Sequence, residues 1–95
     1  MPSIGVLTLE LRLEDSHSLK EKRHVVQSLK DRLRSRFNVS VAEIDHQDTW
    51  QRATLAAVTV SSDHVHAEKV LQGVEDDAAA IVGGSLVDTQ VEWIE

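Results

Sequence analysis

The residues best suited to chemistry in this chain are cations gathered in one stretch. Between His17 and Phe37 stand Lys20, Lys22, Arg23, Lys30, Arg32, Arg34 and Arg36 against two acids, Glu21 and Asp31, a local charge of +5. The whole chain carries −6, so the remainder holds three cations against fourteen acids, or −11. Lys20, Arg23, Lys30 and Arg34 recur at helical spacing, with Gln27 between them, and line one flank of a helix. A ridge of that kind can track the phosphates of RNA. It can equally be a solvated helix face whose last arginines oppose the helix dipole, or it can meet the acidic remainder of a second copy. The net negative charge excludes indiscriminate nucleic-acid binding. Only three aromatic residues are present (Phe37, Trp50 and Trp93), which disfavours a base-stacking platform.

Other chemistry is thinly represented. Lys22 falls inside the apolar stripe of the same helix, where a lysine is expected to bury its stem and lead its amine to the edge. A catalytic lysine needs a pocket and a neighbour that lowers its pKa, and the sequence offers neither. The five histidines are His17, His24, His46, His64 and His66. His64-x-His66 and Glu43-x-Asp45-His46 come nearest to a metal set, but neither has a specific ligand spacing, and no metal is assigned. With no cysteine there is no disulfide framework, thiolate zinc site, iron–sulfur cluster or cysteine nucleophile. No serine sits in a nucleophile elbow, and Gly83-Gly84 lacks the lysine and helix of a phosphate-binding loop. Glu75-Asp76-Asp77 reads as a solvated helix face. The expectation is a protein that is not an enzyme and carries no cofactor.

The elements that must position these residues are legible from periodicity. From Ile4 to Glu14, Leu7, Leu9, Leu11 and Leu13 alternate with Thr8, Glu10 and Arg12, the period of a half-buried strand. Ser18-Leu19-Lys20-Glu21 is a capping box, in which Ser18 accepts from the amide three residues on and Glu21 reaches back to the Ser18 amide. The helix it opens runs to about Arg36, with Leu19, Val26, Leu29, Leu33 and Phe37 on one stripe. A strand over Asn38 to His46 and another over Gln51 to Ser61 form a hairpin. In the second, Ala56, Val58 and Val60 compete with Leu55 and Ala57 for the inward face, and the pattern does not choose between them. Ser62 or Asp63 caps a second helix with Ala67, Val70, Leu71, Val74, Ala78 and Ile81 on one face, ended by Gly83-Gly84. A last strand runs from Ser85 to Ile94.

The order is strand, helix, strand, strand, helix, strand. Right-handed crossovers then predict an α+β sandwich of the ferredoxin-like βαββαβ kind: a four-stranded antiparallel sheet with both helices on one face. At 95 residues the chain is the size of a single such domain. The other sheet face, carrying Thr8, Glu10 and Arg12, is left for solvent, a partner subunit or RNA. Met1-Pro2-Ser3-Ile4-Gly5 has no basic region followed by an apolar run, and no stretch is apolar for long enough to span a bilayer. A cytoplasmic protein without membrane contact is expected.

The pieces His17-Ser18-Leu19-Lys20-Glu21-Lys22-Arg23, Phe37-Asn38-Val39-Ser40-Val41-Ala42-Glu43 and Asp45-x-Gln47-Asp48-x-Trp50 resemble the YlxP-like family of bacterial proteins of unknown function. The resemblance runs in order along nearly the whole chain. It implies a ferredoxin-like fold, a bacterial cytoplasmic setting and a tilt towards RNA or the ribosome, and it supplies no catalytic residue. It also marks Lys20, Lys22, Arg23, Asn38, Glu43, Asp45 and Trp50 as positions to test, Asn38 being a natural turn former and Trp50 a plug for a core edge or a subunit contact. The functional expectation is an accessory protein that touches RNA or a ribosomal particle through Lys20, Arg23, Lys30 and Arg34. The alternative is a homo-oligomer, most simply a homodimer, with no nucleic-acid contact.

Overall fold

The computed structural model describes residues 1–94. Its elements are β1 (Ser3–Arg12), α1 (Leu19–Arg36), β2 (Ser40–Asp45), β3 (Arg52–Ser61), α2 (His64–Val82) and β4 (Leu86–Ile94), with a single 3₁₀ turn at Gly83–Ser85 before β4. The four strands form one antiparallel sheet in the order β2-β3-β1-β4. This is the ferredoxin-like βαββαβ sandwich that the periodicities predict. β2 and β4 are its two edges.

Each helix begins and ends for a local reason. The Ser18 side chain accepts from the Glu21 amide at 3.1 Å, as a capping box requires. Glu21 reaches back one residue further than the motif predicts: its Oε2 accepts from the His17 amide at 2.7 Å, another donor left free before the first turn. Asp63 caps α2 by accepting from Val65 at 3.1 Å. Gly83, with φ 56°, ends α2 in a left-handed conformation that a side chain would resist.

The core lies between the helices and one sheet face. Leu7, Leu9, Leu11 and Leu13 of the first strand and its extension meet Val26, Leu29 and Leu33 from α1 and Leu71, Val74 and Ala78 from α2. Ala53, Leu55 and Ala57 share that inward face. On β3 the small Thr54 and Ala56 of the other face are shielded by their strand neighbours, while Val58 and Val60 on that face stand exposed; both faces thus carry apolar residues, which is why alternation could not choose between the two sets. β4 departs the other way. Val91, opposite Leu7, points to the helical side but stands half exposed, because α2 covers the edge only in part, and Val87, the extra residue at the register shift, is half exposed as well. Trp93 on the same strand packs against Gly5, where an added Cβ would lie 2.7 Å from both the indole and Leu71.

Candidate functional site

Three regions bear on function, and two of the family-marked positions meet in the first. Lys22 is 1% exposed. Its amine does not reach solvent, contrary to the expected escape to the edge. It lies 2.7 Å from Glu43 Oε2 and donates to the carbonyl of His46. Glu43 sits on the inward face of β2, opposite Leu55, so the pair bridges the first turn of α1 and the end of the edge strand. The Glu43 oxygen is shut from solvent, and among the described residues the Lys22 ammonium is its one close counter-charge. A buried ammonium with a carboxylate and a carbonyl has its charge compensated where an apolar residue would otherwise be expected.

His46 is the third member. Its backbone adopts φ 64°, the left-handed region, and it is the one non-glycine residue to do so among the described residues. The turn is held from several sides: the His46 amide donates to Asp45 Oδ1 at 2.7 Å, and its carbonyl also accepts from the Thr49 amide at 3.0 Å. The register of β2 shifts between Glu43 and Asp45, which turns Asp45 to face Thr54. Lys22, Glu43 and Asp45 therefore surround one strained turn, and Trp50, half exposed, is carried just beyond it. Asn38 stands apart: its carbonyl accepts from the buried Thr59 hydroxyl at 2.9 Å, closing the exit of α1 onto β3. The sealed ammonium makes Lys22 an anchor. As a nucleophile or base it would have to be open to a reactant.

The second region is the basic flank of α1, which lies on the β2 side of the helix. Lys20 and Arg23 are exposed and Lys30 is partly so, and none of the three forms a salt bridge among the described residues. Arg34 is committed elsewhere. Its guanidinium donates to the Val41 carbonyl of β2 at 2.6 Å and lies 3.8 Å from Asp31. On the opposite flank, Arg36 and Arg32 approach Asp77 of α2 at 3.1 and 3.7 Å. Of the seven cations in α1, three are thus free at the surface. Apart from the i,i+3 contact of Arg34 with Asp31, no signal in the sequence separates these from the paired ones, because the other pairings join α1 to β2 or α2.

The third region is the sheet face away from the helices, and the strand register lays it out in rows. Val60, Ile4 and Ile94 form the first row, and Val58, Val6 and Glu92 the second. Ala56, Thr8 and Gln90 follow, with Ala42 beside them. Then come Asp45, Thr54, Glu10 and Asp88, and finally Arg52 and Arg12. Thr54 donates to Glu10 at 2.8 Å within the acidic row. The face grades from apolar at one end to charged at the other. Val60 and Ile94 are each 54% exposed, a high value for aliphatic side chains on regular strands.

Residues 4–91 match the model of a protein family described as a protein of unknown function, DUF503. The chain belongs to that family. Among curated proteins it is similar to the uncharacterized protein YlxP of Bacillus subtilis (strain 168), at 46% identity over 71 residues, which is 75% of this chain and 77% of the relative. The YlxP-like resemblance read from the sequence is thereby established. Among solved structures it is similar to a dimeric ferredoxin-like protein of unknown function from Thermobifida fusca, with a TM-score of 0.55 and 15% identity over 98% of this chain and 90% of the other. It is also similar to a cofactor-independent oxygenase, SnoaB of Streptomyces nogalater, with a TM-score of 0.50 and 13% identity over 99% and 91%. At those identities the two structures show the ferredoxin-like fold alone. Among the described residues, no helix is long and apolar enough to cross a membrane, and no three of His, Asp and Glu converge as a metal set.

Proposed function

We propose that this DUF503 member is a non-enzymatic interaction module that self-associates by laying its open sheet face on the same face of a second copy. The observation that carries the reading is the pair of aliphatic rows, Val60–Ile4–Ile94 and Val58–Val6, presented without cover. Burying such rows is favourable in proportion to the apolar area removed from water. A two-fold axis running along the strands sets apolar rows on apolar rows. The same axis sets the acidic row and the Arg12–Arg52 row at the far end of the face on their own counterparts, so the contact is centred on the apolar end. The face is therefore complementary to itself in apolarity, at its Val60–Ile4–Ile94 end. The Thermobifida fusca protein of the same fold is described as dimeric, which is in keeping with this reading.

The test is the mass in solution as a function of concentration, by sedimentation equilibrium. A dimer mass is expected that reverts to the monomer in Val60→Lys, a change at an exposed position that leaves the fold intact. A monomer mass throughout for the unmodified protein would overturn the proposal.

A second reading is supported by the three free cations Lys20, Arg23 and Lys30, which lie together on one helix flank: contact with RNA or a ribosomal particle. A face-to-face dimer leaves that flank open, so the two readings are compatible. Co-sedimentation with ribosomal particles at low salt, lost at high salt and on changing all three to glutamine, is the expected result. A protein that stays in the supernatant at low salt removes the RNA reading and leaves the first untouched.

A further inference from the structure

The sheet has two edges, and the chain treats them differently. β2 spans six residues, is interrupted by a register shift, and has its outward Val41 carbonyl taken by Arg34. β4 spans nine residues, shifts register once near its start and pairs regularly from Asp88 to Ile94, contains no proline, and takes no hydrogen bond from a side chain outside itself among the described residues. Which of its groups face outward follows from the ladder. The Leu13 amide donates to Gln51 at 2.8 Å, so by the two-residue period Leu9 and Leu7 also turn their bonds towards β3. Their neighbours on the other side, Thr89 and Val91, therefore point amide and carbonyl away from the sheet, and so does Trp93 opposite Gly5. The Thr89 amide takes the Asp88 carboxylate at 2.9 Å as an acceptor, in the place where the carbonyl of a further strand would sit.

Beneath this edge runs an open groove of about 570 Å³ between α2 and β4, lined by Val65, Glu68, Leu71, Glu75, Val91 and Trp93, with Lys69 as its one cation. On the other face of the strand stand Asp88 and Glu92. Acids thus flank the edge on both faces, while apolar side chains floor the groove. Glu68 already lies 2.8 Å from His64, and Glu75, Asp88 and Glu92 have no salt-bridge partner among the described residues.

We propose that β4 and the groove beneath it are a docking site for an extended basic segment of a partner protein, which joins the sheet as a fifth strand. Such a segment alternates. Residues opposite Thr89, Val91 and Trp93 are apolar and enter the groove. Those opposite Asp88 and Glu92 are lysine or arginine. A second copy fits this edge poorly, because antiparallel pairing of β4 with itself over its full length sets Asp88 against Glu92 of the copy, and like charges directly opposite repel. The backbone edge and the groove lie off the open sheet face, whereas Asp88 and Glu92 also stand on it, so the mass of each variant in solution is measured beside the titration to keep the two readings apart.

The experiment titrates the isotope-labelled full chain with a synthetic peptide of alternating lysine and valine, and with its counterpart carrying glutamate for lysine. The lysine peptide is expected to shift the amides of Thr89, Val91 and Trp93, slow their hydrogen exchange, and weaken several-fold on adding salt. Asp88→Lys combined with Glu92→Lys is expected to exchange the preference, binding the glutamate peptide and releasing the lysine one. If that variant loses its folded spectrum, Asp88→Asn with Glu92→Gln is expected to weaken the lysine peptide alone. Equal binding of both peptides to the unmodified chain, no binding, shifts confined to α1 or the open sheet face, or an unchanged lysine-peptide affinity in the neutral variant would each overturn the proposal.

Discussion

The two edge strands are built from similar residues and end in opposite states. β2 is short and pinned. Lys22 grips Glu43 and the His46 carbonyl at its far end, Arg34 covers its outward Val41 carbonyl, and the Thr59 hydroxyl holds Asn38 where the chain enters it. β4 is longer, is covered by α2 only in part, and leaves Val87 and Val91 half exposed. An exposed edge is a template for further pairing, and proteins usually blunt it with charge, a bulge or a covering side chain. β2 has all three, whereas β4 has a register shift near its start and acids along its length but no covering side chain from another element among the described residues. The difference teaches that the basic stretch in α1 has a structural share, since part of its charge closes one edge, and that the other edge is left available.

The sharpest way to break the pinned side is to remove one partner of its buried pair. Glu43→Ala strands the Lys22 ammonium, and a loss of about 3 kcal/mol is expected, read as a lower urea midpoint. Replacing both members at once, Lys22→Met with Glu43→Leu, is expected to recover most of that loss, because two apolar groups need no compensation. A double variant as unstable as the single one would show that the turn at His46 depends on the charge itself.

On the open side the strongest constraint is steric. Gly5→Ala sets a methyl group 2.7 Å from Leu71 and Trp93, so a cost of about 1–3 kcal/mol is expected, with an altered near-ultraviolet signal from the displaced indole. Arg34→Ala is smaller in stability, about 1 kcal/mol for a partly exposed charged hydrogen bond. It should nonetheless raise light scattering with concentration, because it uncovers the β2 edge. If Arg34→Ala stays free of association, the guarding role assigned to Arg34 is wrong. Smallest of all, Arg32→Gln with Arg36→Gln is expected to change stability by no more than about 0.5 kcal/mol, since both arginines are about half exposed around Asp77.

Much of the fold was legible because it is written locally. Alternating leucines mark β1, Ser18 with Glu21 marks the start of α1, and the Gly83 position marks the end of α2. The face of β3 was not legible, since Ala56, Val58 and Val60 on the open face are as apolar as Leu55 and Ala57 on the core face. Nor was the partly covered state of β4, which depends on how far α2 extends across the sheet. At the candidate sites the positions Lys22 and Glu43 were each marked by the family resemblance. Their pairing was not, because the one residue is on a helix and the other on a strand, with no spacing rule joining them. The same reason divides the basic ridge. Lys20, Arg23, Lys30 and Arg34 share a helical period, yet only the strand packed beside them decides that Arg34 is occupied.

The most direct test of self-association through the open sheet face is an isotope-filtered cross-relaxation experiment on an equal mixture of labelled and unlabelled chains. Contacts between copies are expected among the methyl groups of Ile4, Val6, Val58, Val60 and Ile94. Cross-relaxation between copies found only at β4 or α1, or none at a concentration where the mass is that of a monomer, would contradict the account.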